Sequence, residues 1–140
     1  MAERNPFNIR FLDHVAIKVA DMDRSQQWYS KVLGLKPYTF EEWGPFPVFM
    51  LSGKTGVAIF PAQELESTRK HQIRIDHFAF NVDQEAFEQA QSHFIQIDEP
   101  FEFQDHHYFH SVYLTDPDGH RVELTCIQVS ERDFYKDTMQ

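Results

Sequence analysis

The sequence of 140 residues has one cysteine, Cys126, and no apolar run near the roughly 20 residues that a membrane-spanning helix needs. A single cysteine excludes an internal disulfide framework and is typical of a protein of the reducing cytosol. The first ten residues, MAERNPFNIR, lack the apolar segment of a secretory signal. From these absences we expect a cytoplasmic location and no membrane partner.

Positive charge is scarce as well. The chain has 13 Lys and Arg residues against 22 Asp and Glu residues, a formal net charge of −9. This excess of negative charge argues against nucleic acid or an anionic membrane surface as a partner. The hydrophobic content of 41%, with 14 Phe residues, is that of a folded protein. We expect one domain, residues 1–140, large enough to bury a core.

One sequence motif occurs twice in the chain, as RFLDHVAIKV at 10–19 and RIDHFAFNV at 74–82. Both copies alternate polar and apolar residues with a period of two, which is typical of a strand. A helical pattern follows each copy, over residues 23–33 and 83–95. Gly34 predicts the end of the first helix, and Asp83 predicts the N-cap of the second.

Each half of the chain continues with further strand-like runs. The repeat therefore predicts an α+β fold of two βαβββ modules, with the first module at about 9–62 and the second at about 73–128. A linker is expected at 61–72 and a polar tail with helical character at 129–140. We expect the modules to curl into a partly closed, barrel-like cup that binds a small molecule.

The repeat lets chemical groups in the two halves be compared. His14 matches His77, and aligning the two final hairpins sets Ile59 against Glu123. The spacings agree, at 45 residues from His14 to Ile59 and 46 from His77 to Glu123. A carboxylate in the apolar strand RVELTCI is costly unless it is paired or bound to a cation. Strand alternation puts Asp13 and Asp76 on the opposite face from the histidines, so we expect them to be structural.

Two imidazoles and one carboxylate on strand faces form a facial set of ligands with open coordination positions. We therefore predict that His14, His77 and Glu123 hold a divalent metal. This ligand set suits non-haem Fe(II), and also Mn(II) or Zn(II).

The chain resembles the vicinal oxygen chelate superfamily, which includes glyoxalase I, extradiol dioxygenases, fosfomycin-resistance enzymes and bleomycin-resistance proteins. The resemblance is carried by three segments: DHVAIKVADMDRSQQWYSKVLGL at 13–35, DHFAFNV at 76–82 and YLTDPDGHRVEL at 113–124. It implies paired βαβββ modules around one divalent metal, and a homodimer, since small members usually form one.

Within that superfamily, the sequence is most similar by motif to the dioxygenase-like branch. Glyoxalase I-like members usually have a fourth ligand, a glutamate, where this chain has Ile59. The resemblance to extradiol dioxygenases implies that His106 is the acid–base residue and that Tyr113 is a hydrogen-bonding phenol. It also favours Fe(II) and the cleavage of a catechol-like ring. Gln104 departs from the start of that motif.

Three alternatives remain open from the sequence. A glyoxalase-like lyase or a fosfomycin-type thiol transferase would use the same metal ligands. For the transferase, Arg132 lies where those enzymes often carry a phosphonate-binding arginine, but Ala16 replaces their threonine and the expected cationic loop is missing. The third alternative is a drug-binding protein without catalysis, with a flat ligand stacked on aromatic side chains, candidates for which are Tyr38, Phe40, Trp43, Phe46, Phe49, Phe101 and Phe103.

Overall fold

A computed structural model of the chain describes residue 6 and residues 10–63 and 74–135. The strands are β1 His14–Val19, β2 Lys36–Tyr38, β3 Val48–Ser52, β4 Thr55–Pro61, β5 His77–Asn81, β6 Glu102–Asp105, β7 Phe109–Thr115 and β8 Arg121–Ile127. The helices are α1 Met22–Leu33, α2 Gln84–Gln96 and α3 Glu131–Phe134, with a short 3-10 helix at Glu41–Trp43.

The strands form two four-stranded sheets with the same topology, in the orders β1-β4-β3-β2 and β5-β8-β7-β6. In each sheet the first strand pairs in parallel with the last, and the other neighbours are antiparallel. The predicted α+β fold of two βαβββ modules is confirmed. The two sheets are hydrogen-bonded separately, so the curled halves do not merge into one closed barrel.

Helix α1 begins and ends where its sequence predicts. The Asp21 carboxylate accepts a hydrogen bond from the backbone N–H of Arg24 at 3.0 Å, which caps the N-terminus. Gly34 ends the helix in the left-handed conformation, with φ of 70°. Between these caps, Tyr29 and Val32 are buried on one side of the helix. The prediction of a helix over 23–33 is therefore confirmed within one residue.

Helix α2 is capped in the same way. The Asp83 carboxylate accepts a hydrogen bond from the backbone N–H of Ala86 at 2.8 Å, as its position predicts. Phe87 and Phe94 are seven residues apart, which places them on the same face of the helix, and both are buried. They pack on the side of the second sheet that bears Val112, Leu124 and the other apolar residues of its core. The opposite side of each sheet, turned away from these packed residues, is called the open face below.

The two modules are joined by a set of polar contacts that we call the latch, between α1 and the turn after β7. The Tyr29 hydroxyl donates to the buried carboxylate of Asp116 at 2.8 Å. The Asp118 carboxylate accepts from the backbone N–H of Ala20 at 3.0 Å and from the Ser25 hydroxyl at 3.2 Å. Burial and these carboxylates raise the pKa of Tyr29 far above its ordinary value, so its hydroxyl remains a donor.

The expected linker at 61–72 lies mainly outside the described residues, and α3 accounts for the helical character expected in the tail. The strand-like run after α1 is interrupted by the 3-10 helix, which ends at Gly44 with a positive φ of 75°. No helix in the described part of the chain is long and apolar enough to cross a membrane.

Candidate metal centre

His77 and Glu123 lie together on the open face of the second sheet. The parallel register of β5 and β8 pairs His77 with Arg121 and Ala79 with Glu123, so both side chains leave the sheet on the same face. The distance from His77 Nε2 to Glu123 Oε1 is 3.1 Å. Glu123 is only 4% exposed, and a carboxylate at that depth requires a positive or hydrogen-bonding partner.

Both candidate histidines contact the aspartate that precedes them, whereas strand alternation predicted these aspartates on the opposite face. His14 Nδ1 lies 2.7 Å from the carboxylate of Asp13, and His77 Nδ1 lies 2.7 Å from that of Asp76. Each histidine is the first residue of its strand, so the aspartate before it is not constrained by strand alternation. The hydrogen bond with His77 lowers the pKa of Asp76. An aspartate on Nδ1 fixes the ring and leaves Nε2 to bind a metal.

His14 is in the corresponding place in the first module, and the structure does not bring it to His77 and Glu123. Its ring packs edge-on against Phe49, with 4.9 Å between the centroids, and its side chain is 35% exposed. Within residues 10–63 and 74–135, no group of three His, Cys, Asp or Glu side chains could hold a metal ion. One copy of the chain therefore assembles two of the three predicted ligands.

A buried serine, which sequence reasoning missed, completes the surroundings of Glu123. The Ser111 hydroxyl donates to Glu123 Oε2 at 2.5 Å, and Ser111 is fully buried. Its signal in the sequence was a polar residue in an apolar strand, two positions before Tyr113 and therefore on the same face.

His106 and Tyr113 lie together beside this carboxylate. His106 Nε2 is 2.9 Å from the Tyr113 hydroxyl, and Tyr113 pairs with Glu123 across β7 and β8. Burial, followed by the nearby Glu123 carboxylate, raises the pKa of Tyr113, so the phenol stays protonated at neutral pH. The Arg121 guanidinium lies over the Tyr113 ring at 4.4 Å. His110, by contrast, packs against Phe103 on the other side of the sheet.

The sheet register corrects the sequence alignment of the two modules by one residue. Ala79 pairs with Glu123, and the equivalent residue of β1, Ala16, pairs with Ala58. The counterpart of Glu123 is therefore Ala58, and Ile59 points into the core, where it is fully buried. The alignment was wrong because it displaced the whole hairpin by one residue, since the registers match Phe49 with Tyr113 as well as Ala58 with Glu123. The first module still lacks a carboxylate at this position.

Aromatic side chains occupy this region of the first module. Trp43 lies 5.5 Å from Phe49 and 4.5 Å from Phe40, measured between ring centroids, which continues the contact of Phe49 with His14. A groove of about 430 Å³ runs along these rings, with Arg10 and Lys54 also in its lining.

Beside the second module's site is a cavity of about 540 Å³ lined by Tyr113, Arg121 and Glu102, among others. A somewhat larger cavity, about 600 Å³, lies between α1 and α2 and contains none of the predicted ligands. The cavity of about 540 Å³ contains Tyr113 and Arg121 but neither His77 nor Glu123, whereas His77 lines a third cavity of about 390 Å³ that also contains Arg121. Arg132 lies on α3, outside the lining of all three cavities.

The sequence model of the Glyoxalase/Bleomycin resistance protein/Dioxygenase superfamily matches residues 11–124. The chain belongs to this superfamily, as its motifs implied. It is 26% identical to the metallothiol transferase FosB of Staphylococcus epidermidis, over 91% of this chain and 90% of that protein. It is 25% identical to the glutathione transferase FosA of Serratia marcescens, over 83% of this chain and 80% of that protein.

Solved structures agree on the fold. A glyoxalase/dioxygenase from Nostoc punctiforme superposes with a TM-score of 0.71 at 24% identity, covering 91% of this chain and 98% of the other. The fosfomycin resistance protein FosX from Mesorhizobium loti superposes with a TM-score of 0.62 at 22% identity, covering 89% and 98%. The named sequence relatives are transferases, so they favour the transferase alternative over ring cleavage.

Proposed function

We propose that the protein is a divalent-metal-dependent transferase that joins a thiol to a small, oxygen-rich electrophile. The observation that carries this proposal is the pairing of His77 Nε2 with a buried Glu123 oxygen at 3.1 Å. Similarity to a metallothiol transferase and a glutathione transferase over more than 80% of the chain supports the reaction type.

The donor atoms fit a first-row divalent metal. Two ligands at about 2.1 Å from one ion and at right angles to each other are about 3 Å apart. The 3.1 Å between His77 Nε2 and Glu123 Oε1 matches that separation. Imidazole and carboxylate together suit Mn(II), Fe(II) and Zn(II), and the transferase relatives give no reason to prefer iron.

We infer that His14 from a second copy of the chain supplies the third ligand. His14 has the same aspartate on Nδ1 as His77, and its side chain is about one-third exposed on the open face of the first module. No other carboxylate, imidazole or thiol in the described residues completes a three-ligand group. A symmetric dimer would form two such sites, with the aromatic groove of one copy beside the cavity of the other.

When bound, the metal supplies Lewis acidity that polarises a substrate oxygen and makes the attached carbon electrophilic. The chain's own residues then orient the substrate and move a proton. His106 accepts the thiol proton, and the sulfur forms its bond to the electrophilic carbon as the bond from that carbon to oxygen breaks. The Tyr113 phenol, which stays protonated, donates a hydrogen bond to the oxygen anion, and that oxygen then takes up the proton held by His106. Arg121 adds a positive charge on the same face.

Metal analysis and activity assays test this proposal. Protein purified without an affinity tag is analysed for metal and reconstituted anaerobically with Mn(II), Zn(II) or Fe(II). Loss of thiol is then measured with glutathione or cysteine and fosfomycin as the probe electrophile. We expect stoichiometric metal and metal-dependent thiol consumption. A protein that binds no metal after reconstitution would contradict the proposal.

Ring cleavage is the second candidate, and the His106–Tyr113 pair beside Glu123 favours it, since an acid–base histidine and a phenol serve that reaction also. Oxygen uptake with catechol after Fe(II) loading distinguishes the two reactions. In either case we expect His106→Gln to lower kcat by about 10²- to 10⁴-fold. The matched variant His107→Gln, on the adjacent exposed residue, should leave kcat unchanged.

A further inference from the structure

We propose that Ser111 is a positioning residue that directs one oxygen of Glu123 to the metal and withholds the other. This inference rests on the metal site proposed above. It assigns Ser111 control over how the carboxylate binds, and so over how many coordination positions remain for substrate.

The two oxygens of Glu123 have different neighbours. Oε2 accepts the Ser111 hydroxyl at 2.5 Å, and Oε1 faces His77 Nε2 at 3.1 Å. The bond from Ser111 uses one lone pair of Oε2 and fixes the rotation of the carboxylate. Glu123 then presents Oε1 alone beside His77. A hydrogen bond to a ligating carboxylate orients it and sets the affinity of the site.

The first module provides an internal comparison. The sheet registers match Tyr113 with Phe49 and Glu123 with Ala58, so the counterpart of Ser111, two residues before Phe49, is Pro47. The module without the carboxylate therefore also lacks the hydroxyl. The burial of Ser111 on β7 costs free energy unless its hydroxyl is paired, and its partner is the predicted ligand.

A purely structural role for Ser111 predicts a different outcome from a positioning role, and Ser25 offers a matched control. Ser25 is also fully buried and also donates to a carboxylate, that of Asp118, but it lies in the latch. Ser25→Ala and Ser111→Ala each remove one buried hydroxyl that is bonded to a carboxylate. Both should lower the thermal midpoint, and only Ser111→Ala should alter metal binding.

The experiment measures Mn(II) affinity by calorimetry and the visible spectrum of the Co(II)-substituted protein, whose band intensity falls as the coordination number rises. We expect Ser111→Ala to bind Mn(II) about 10- to 100-fold more weakly. Its Co(II) bands should weaken as the freed Oε2 also binds. Ser25→Ala should match the wild type in both measurements.

A Co(II) spectrum of Ser111→Ala identical to that of the wild type would overturn the inference. Ser111→Thr keeps the hydroxyl and should keep the wild-type spectrum, and a changed spectrum in this folded variant would also count against the inference. A wild-type protein that binds neither Mn(II) nor Co(II) would instead contradict the proposed function itself.

Discussion

The two modules repeat one topology with different chemistry on their open faces. In the second module Arg121 pairs with His77, and Glu123 lies two residues further along β8, opposite Ala79. In the first module the corresponding partners of His14 and Ala16 are Gly56 and Ala58. Both modules keep the Asp–His pair, and only the second has a carboxylate on the last strand, where the first has Ala58.

The two modules therefore carry different kinds of chemical group on their open faces. The second module supplies carboxylate, phenol and guanidinium, which are groups that bind a metal and move protons. The first supplies His14, which packs against a cluster of three aromatic rings, Phe40, Trp43 and Phe49. Under the proposed function, the duplicated backbone supplies two unlike halves of one site, since within the described residues neither module brings three ligands together.

The largest expected effect tests which residue is the counterpart of Glu123. Ile59→Glu puts a carboxylate into the apolar core and should lower the free energy of unfolding by about 4 kcal/mol. Ala58 is also buried, at 1% exposure, but Ala58→Glu puts the carboxylate on the face of His14, where Glu123 lies beside His77 in the second module, so the loss should be less than half as large. Urea denaturation measures both, and equal losses would contradict the assigned register.

The next largest effect is expected from a substitution that makes the second module resemble the first. Glu123→Gln keeps the shape of the side chain and removes the charge, so Mn(II) affinity should fall at least about 100-fold, or about 2.7 kcal/mol. Calorimetry measures the affinity. Glu85→Gln, which changes an exposed carboxylate on α2, is the matched control and should bind as the wild type does. Equal affinities for Glu123→Gln and Glu85→Gln would exclude Glu123 as a ligand.

The latch that joins the modules should make a smaller contribution. Tyr29→Phe removes the donor to the buried Asp116 and should lower the free energy of unfolding by about 1.5 kcal/mol at pH 8. Tyr38→Phe, an exposed residue, is the control.

The latch also predicts a pH dependence. The native state keeps Tyr29 protonated, because its pKa is raised, whereas the unfolded state ionises near the ordinary value of 10.0. Wild-type stability should therefore fall as the pH rises above about 10, and Tyr29→Phe should lose less over that range. Parallel losses in the two proteins, measured by urea denaturation, would contradict a buried protonated phenol.

The smallest effect is expected at the Asp–His pair, which both modules have. Asp76→Asn weakens the hold on His77 Nδ1 and should reduce Mn(II) affinity about tenfold. Asp13→Asn should do the same through His14. Calorimetry compares the two variants, and a loss seen only with Asp76→Asn would show that His14 is not a ligand.

Local signals predicted much of the fold. The Asp-His repeat predicted two modules, and Gly34 and Asp83 predicted helix ends because caps depend on neighbouring residues. The match of Ile59 with Glu123 was wrong by one residue, since strand register is set by pairing with neighbouring strands across the sheet. The role of Ser111 was not evident, because its contact with Glu123 crosses between strands.

The two histidines show that the sequence could not predict how the whole site is assembled. Internal symmetry identified His14 and His77 as equivalent, and the structure gives both the same aspartate contact. Equivalence in a repeat does not fix whether two residues meet within one chain or between two copies. That depends on how open sheet faces pair, which no local pattern in the sequence records.

The most direct test of a metal site shared between two copies mixes two variants that each lack one ligand. His14→Ala and Glu123→Gln are each expected to bind no Mn(II) tightly, because each breaks both sites of its own dimer. After the two are unfolded together and refolded, each mixed dimer should contain one intact site, which restores about a quarter of the wild-type number. Equilibrium dialysis with Mn(II) that recovers this fraction supports a site shared between copies. A mixture that binds no more Mn(II) than the separate variants would contradict it.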